Sequence, residues 1–343
     1  MKGAVLVTGA AGFLGGYLVP ELLAAGYGVT GLDNLSKYGP VRREYDGHPG
    51  YTFVRGDARD VGLMERLARD ADFLVAGAAM VGGIGYFHRY AYDLFAHNER
   101  VTAAAFDAAL ASFRAGRMRR VVVISSSMVF ERATRFPTPE EHLAGCPPPE
   151  SAYGFQKLAC EVMARAARDQ HGLPFAIARP FNCVGVGEVL PLAAQGDPAG
   201  ARSLCLGHVL PELVVKILAG KPGEPARILG DGLQVRHYTH GRDLARGIRM
   251  CMEHPAAENE DFNLSTAKGH TVLDLAREIW ERIRPGEPFR TVSDPPFEHD
   301  VRRRSPSVDK ARERLGFEAG IPLSQVLEEV IPWVGEAMGR GVL

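Results

Sequence analysis

Tyr153 and Lys157 stand four residues apart, a spacing that puts both on one face of a helix. An ammonium beside a phenol stabilises the phenolate and lowers a pKa that is about 10 when unperturbed. Such a phenolate is a general base for a sugar or alcohol hydroxyl. The pair by itself is common on ordinary helix faces. Ser125, Ser126 and Ser127 add weight, because they follow Val121-Val122-Val123-Ile124. That apolar run is too short for a helix and suits a strand buried on both faces of a parallel sheet. Hydroxyls at the end of such a strand face the ligand crevice of a doubly wound sheet.

A second constellation lies at the N-terminus. Gly9-Ala10-Ala11-Gly12-Phe13-Leu14-Gly15 spells GxxGxxG between an apolar run, residues 4–8, and leucines at helical spacing (Leu14, Leu18, Leu22). Glycines allow a tight turn and let backbone N–H groups approach a pyrophosphate at a helix N-terminus. Asp33 ends the next strand, where a carboxylate accepts from an adenosine ribose; it favours NAD over NADP, whose 2′-phosphate it would repel. Asp57 follows a third strand at Tyr51–Val54 and is open to two readings, an adenine contact or a helix cap.

The elements that must position these groups follow from periodicity. Strands are predicted at 29–32 and 73–76 besides those above, and again at 175–178. Helices are predicted at 63–67, 94–113 and 153–170. Strands alternating with helices imply right-handed βαβ units, so an α/β doubly wound parallel sheet of the Rossmann kind. After about residue 182 proline and glycine become frequent. The expectation is a dinucleotide-binding domain over 1–181, with a strand or helix returning from 233–260, and a smaller substrate-binding domain over 182–343. Cys146-Pro147-Pro148-Pro149 must be loop.

Composition sets outer limits. Apolar residues are 46% and charged residues 24% of 343, and the net charge is −1, the balance of a globular protein with no general attraction for nucleic acid or anionic membrane. Five cysteines without a CxxC pair argue against a disulfide framework or zinc ribbon and favour a reducing cytoplasm. No apolar run approaches the ~20 residues needed to span a bilayer, and the N-terminus reads as a first strand, not an export signal. No HExxH or Cys/His pairing accompanies the eleven histidines, so no metal site is expected. His237 and His240 are read as ordinary, and Trp280 and Trp333 as core.

Taken together, the GxxGxxG turn, Ser125-Ser126-Ser127 and the Tyr153/Lys157 pair resemble the extended short-chain dehydrogenase/reductases of the NAD-dependent nucleotide-sugar epimerase/dehydratase family, from the first strand to about Leu315. The resemblance implies that NAD stays bound, accepts a hydride from a sugar carbon while Tyr153 removes the hydroxyl proton, and returns it after the keto-sugar is altered. Ser126 would assist Tyr153, and Lys157 would also hold the nicotinamide ribose. The cofactor would lie on Gly9, Ala11, Gly12, Phe13, Leu14, Gly15, Asp33, Asn34, Asp57, Ala58, Ala78, Ala79, Asn98, Tyr153, Lys157 and Pro180. A nucleotide sugar would meet Val81, Gly82, Gly83, Ser127, Asn182 (in Arg179-Pro180-Phe181-Asn182), His208, Val209, Arg236 (in a GDGxxxR segment), Arg303 and Arg304. For any one of Arg302, Arg303 and Arg304 a solvated charge run is the competing reading.

Family dehydratases and decarboxylases carry acids just after the catalytic hydroxyl, where this chain has Ser127 and Met128. A thioether transfers no proton, so 4-epimerisation of a UDP-hexose or UDP-hexose derivative is favoured. Departures remain: Ala76 replaces a frequent His, Phe130 replaces the Tyr of a "VY" pair, and residues 78–85 resemble a loop of GDP-mannose 3,5-epimerases. Such a 3,5-epimerase would need further acid/base groups, for which Cys183, Glu188 and His208 are candidates, while Tyr86 or His88 would line the pocket. A UDP-uronate 4-epimerase is disfavoured by Val189, where family members often place Arg. A dehydratase and, from a different class, a non-catalytic NAD sensor complete the alternatives. The family also implies a homodimer joined through the helix near 97–114 and the one bearing Tyr153.

Overall fold

The computed structural model describes residues 1–188, 209–296 and 301–340. Strands β1 (Ala4–Thr8), β2 (Gly28–Asp33), β3 (Tyr51–Arg55), β4 (Phe73–Ala76), β5 (Arg120–Ile124) and β6 (Phe175–Pro180) alternate with helices α1 (Gly15–Ala24), α2 (Val61–Ala68), α3 (Ile84–Arg89), α4 (Ala91–Arg114) and α5 (Ala152–His171). Beyond them lie β7 (Cys183–Val184), α6 (Val209–Ala219), β8 (Ala226–Leu229), β9 (Val235–Arg236), β10 (Thr239–His240), α7 (Gly241–Glu253), β11 (Glu260–Leu264), β12 (His270–Thr271), α8 (Val272–Ile283), β13 (Thr291–Asp294), α9 (Asp309–Leu315) and α10 (Leu323–Gly339).

One all-parallel sheet of seven strands, ordered β3-β2-β1-β4-β5-β6-β11, organises the molecule. The expected doubly wound α/β fold is therefore present. The valine run of β5 shows why it must be buried on both sides. Val121 and Val123 enter the core beneath α2, α4 and α5, while Val122 and Ile124 enter the opposite core with α1 and α7, the period-2 alternation of a strand. Two segments from beyond residue 182 belong to this layer. α7 packs its apolar face into the core shared with α1, and β11 pairs with β6 as the sheet edge.

A third core joins α6, α8 and α10 to β8, with Trp280 fully inside and Trp333 at its margin. The second layer thus has its own apolar centre. Two local details were left open by the sequence. The Gly-rich stretch after β4 is half loop and half helix, with Gly83 capping α3. Asp60, not Asp57, caps α2, accepting from the Leu63 amide at 2.9 Å. The four described cysteines are all free thiols. No described helix is long and apolar enough to cross a membrane.

Candidate active site

The Gly-rich turn closes where β1 meets α1. Gly9 has φ +75°, and a Cβ there would sit 3.0 Å from the Ala78 backbone. A Cβ on Gly15 would lie 2.4 Å from the Gly9 carbonyl oxygen and 2.6 Å from that of Ala10. Those spaces exist only for glycine, and they bring the turn flush with the end of β4. Thr8 reinforces the junction, its Oγ1 accepting from the Gly77 and Ala78 amides at 3.1 Å each. No side chain caps the start of α1, and its first turn holds no acid. The helix dipole therefore stays directed at an anion.

Asp33 is fixed by two backbone donors, Ala11 at 3.1 Å and Leu35 at 2.8 Å, one to each oxygen. Each carboxylate oxygen keeps lone-pair capacity for a ribose hydroxyl. Asn34 makes a local turn by accepting from Ser36. Asp57 is held by Arg59, which donates to both oxygens at 2.7–3.1 Å, and these bonds keep its carboxyl below the usual range. Ala58 beside it is buried. Asn98 has both amide groups on the Met80 backbone, at 2.6 and 2.9 Å. Its side chain therefore pins the loop after β4, and it lines a narrow cleft with Ala78, Ala79, Ile124 and Lys157. Two cations that sequence reasoning missed lie in the loop after β2, one of them on the turn. Arg43 donates to the Ala11 carbonyl at 3.3 Å, and burial lowers the Lys37 ammonium to about 8 although Glu188 opposes it. Neither sits in a periodic element, so nothing in the sequence marks them.

At the other end of the crevice, Ser126 follows β5 and starts a single 3-10 turn, accepting from the Met128 amide at 3.2 Å. Ser127 is buried behind it. Tyr153 lies in the first turn of α5. Ser151 caps that helix through the Gly154 amide, and Glu131 holds Ser151 by accepting from its N–H and its hydroxyl. Lys157 donates to the Ile124 carbonyl at 2.8 Å, which leaves its Nζ 5.9 Å from the centre of the Tyr153 ring. Tyr153 packs with Met128, Leu94 and Phe87, and the Phe87 ring lies parallel to it at 4.3 Å. Phe87 carried no signal in the sequence.

Ser125 has a different job from its neighbours. Its hydroxyl donates at 2.6 Å to Glu161, which also takes two bonds from the fully buried Arg179. Arg179 bonds Asp261 on β11 as well, and Lys310 reaches Asp261 from α9. Burial opposes the Asp261 charge, but Arg179, Lys310 and Arg165 together outweigh it and hold that carboxyl well below its ordinary range. The arginine of the RPFN segment is thus the centre of a buried ion network that clamps α5 to β6 and β11.

Among the residues expected to meet a nucleotide sugar, Asn182 follows the end of β6, Pro180, with φ +37°. The 302–304 segment runs beside β9, with backbone bonds from Val235 to Arg302 and from Arg304 to Val235. This places Arg236, Arg303 and Arg304 on adjacent backbone. Arg236 is buried, Arg303 lies over the Phe136 ring at 5.0 Å, and Arg304 reaches the Met128 sulfur at 3.4 Å. Arg302 is the solvated member, paired with Asp231. Val81 packs against the Tyr153 cluster, next to Gly82 and Gly83 in the same loop. Val209 begins α6. His208, Val189 and the His88 side chain lie outside the described residues.

His237 and His240 are satisfied histidines. The first sits between the Thr266 carbonyl and the Ser305 hydroxyl. The second accepts from the Arg242 amide, which leaves its Nε2–H for Glu329 at 3.2 Å. Among the described residues no His, Cys, Asp and Glu cluster is placed to hold a metal.

The model of the NAD dependent epimerase/dehydratase family matches residues 5–265. The chain belongs to that family. It is 27% identical over 345 residues to a UDP-glucose 4-epimerase of Halalkalibacterium halodurans, covering 96% of this chain and 95% of the relative. The solved UDP-glucose 4-epimerase of Thermotoga maritima superposes with a TM-score of 0.80 at 26% identity, covering 98% and 99% of the two chains. A dTDP-glucose 4,6-dehydratase of Streptomyces venezuelae, solved with NAD, gives 0.80 at 25% identity and 98% coverage of each. NAD is the cofactor of this family, and the Gly9–Gly15 cradle, which a Cβ would fill, fits its pyrophosphate. Epimerase and dehydratase relatives share the scaffold equally, so the reaction class rests on the site itself.

Proposed function

We propose that this family member is a nucleotide-sugar 4-epimerase acting on a UDP-hexose or a UDP-hexose derivative. The carrying observation is the catalytic turn. After Ser126 it offers a hydroxyl and a thioether, Ser127 and Met128, and its nearest carboxylate, Glu131, is committed to Ser151. Elimination or decarboxylation wants an acid or base there; 4-epimerisation wants none. Cys183 and Glu188, the candidates for extra acid/base work, lie instead by Tyr17 and Lys37 near the Gly-rich turn. Burial pushes the Cys183 thiol well above its usual range, so it is no thiolate base.

Bound NAD supplies reversible hydride chemistry at its nicotinamide ring. Tyr153 takes the proton of the C4 hydroxyl and returns it to the opposite epimer. Lys157, anchored on Ile124, keeps positive charge beside the phenol, and Ser126 hydrogen-bonds the sugar oxygen. Arg236 and Arg304 supply cationic forks for the diphosphate, and Arg303 lies on the same backbone. The UDP preference follows the relatives named above.

Incubation with UDP-, dTDP- and GDP-hexoses in D₂O, read by proton NMR, tests this. The expected result is C4 interconversion of a UDP-hexose with no deuterium on carbon. Deuterium at C3 or C5, or loss of the C6 hydroxyl, would overturn it. Catalytic silence across the panel, with NAD bound, would favour the sensor reading.

We also infer a homodimer through α4 and α5. Tyr92, Phe155 and Val162 are exposed on these neighbouring helices, at 78%, 45% and 59%, and the Phe95 ring lies tilted beside Phe155 at 6.1 Å. Contiguous apolar side chains on a helix pair call for a partner. Sedimentation at micromolar concentration should give twice the chain mass of 37.2 kDa; a monomer contradicts the inference.

A further inference from the structure

The mechanism above makes no use of Tyr17. This residue lies on α1 just past Gly15, yet its contacts reach the far half of the chain. Its ring meets Phe13 and His240 edge-on, at 5.6 and 5.3 Å. Its hydroxyl donates to the Val186 carbonyl at 3.0 Å. Val186 sits in the strap that follows β7, residues 185–187, which runs past Phe13 of the Gly-rich turn. At Gly187 a Cβ would be 4.0 Å from the Phe13 ring and 3.9 Å from Arg43. Arg43 itself lies over Gly16, with its guanidinium carbon 2.9 Å from where a Cβ would be. Glu188, next along, acts electrostatically on Lys37 of the loop after β2.

We infer that Tyr17 latches this strap across the dinucleotide cradle and so sets the rate at which NAD enters and leaves. Three observations support a latch over a packing contact alone. The bond joins the cofactor helix to a segment 169 residues away. Gly185 has φ +151°, and a Cβ there would lie 2.5 Å from the Tyr17 hydroxyl, so the strap reaches that oxygen only as glycine. Gly241 leaves the same ring its room on the other side, where a Cβ would lie 2.3 Å from it. Burial pushes the Tyr17 phenol well up, which keeps the hydroxyl a donor through the whole working range. The strap is tied to the turn through Phe13 and through Arg43, which meets Gly187, Gly16 and the Ala11 carbonyl.

A latch has a kinetic signature that a lost structural contact lacks. Weakening it speeds opening, so release and entry accelerate together and the dissociation constant barely moves. Tyr17→Phe removes the hydroxyl and keeps the ring between Phe13 and His240, so the fold should survive. Exchange of bound NAD for 1,N6-etheno-NAD, followed by fluorescence, should be about fivefold faster in both directions, the factor expected for one net hydrogen bond. Gly185→Ala, which displaces the same hydroxyl, should act alike, and the double variant should be no faster than either single one. Unchanged exchange in Tyr17→Phe, faster release with unchanged entry, or additive effects in the double variant would each overturn the latch. None of these readings depends on turnover or on which sugar is the substrate.

Discussion

Tyr153→Phe should lower kcat about 10³-fold, the scale of a lost general base, equivalent to roughly 4 kcal/mol of barrier. The substitution removes one oxygen. The ring stays stacked on Phe87 at 4.3 Å and Lys157 stays on the Ile124 carbonyl, so the site keeps its shape. KM should change less than about threefold, because uniform binding is untouched. NAD content and melting temperature should match the parent. Turnover measured by proton NMR on the sugar identified from the panel checks this. Activity within tenfold of the parent would remove Tyr153 from the role of base. Phe87→Leu is a useful companion, because it frees the ring without removing the oxygen.

The second large effect is expected at the cradle. Gly15→Ala places a methyl 2.4 Å from one carbonyl oxygen and 2.6 Å from another. Both obstacles are backbone, held by the junction of β1, α1 and β4, so neither can swing away as a side chain could. The turn must open, and its amides then miss the pyrophosphate. A loss of about 100-fold in NAD affinity, roughly 3 kcal/mol, is expected by calorimetry on nucleotide-stripped protein, with the variant purifying nearly NAD-free. Gly62→Ala is the control. Its nearest neighbour would be 3.5 Å away, on exposed α2, and alanine is the better helix former. It should bind NAD normally. Equal loss in both variants would mean that the cradle reading is wrong.

Legibility in the sequence followed the range of each interaction. The alternation of strands and helices could be read because period 2 and period 3.6 are written in neighbouring residues. The end of β5 and the pair Tyr153/Lys157 could be read for the same reason. Asp57 could not, since the choice between cap and ligand depends on which nearby carboxylate takes the Leu63 amide, and Asp60 does. The three consecutive serines looked equivalent. Only the structure separates them, with Ser125 spent on Glu161, Ser126 on the Met128 amide of the 3-10 turn, and Ser127 buried.

The sequence by itself determined the local devices: a glycine turn between strand and helix, a hydroxyl at a strand end, a phenol and an amine one helical turn apart, and a Met in place of an acid. Each is set by backbone geometry within a few residues. Tertiary structure alone decided what surrounds them. It paired β11 with β6 at the sheet edge, laid Phe87 on Tyr153, brought Arg304 to Met128 across 176 residues, and carried Val186 to Tyr17. Such pairings arise when the chain closes around a shared core, and the residues involved obey no common period, so their meeting is written in no local stretch of the chain.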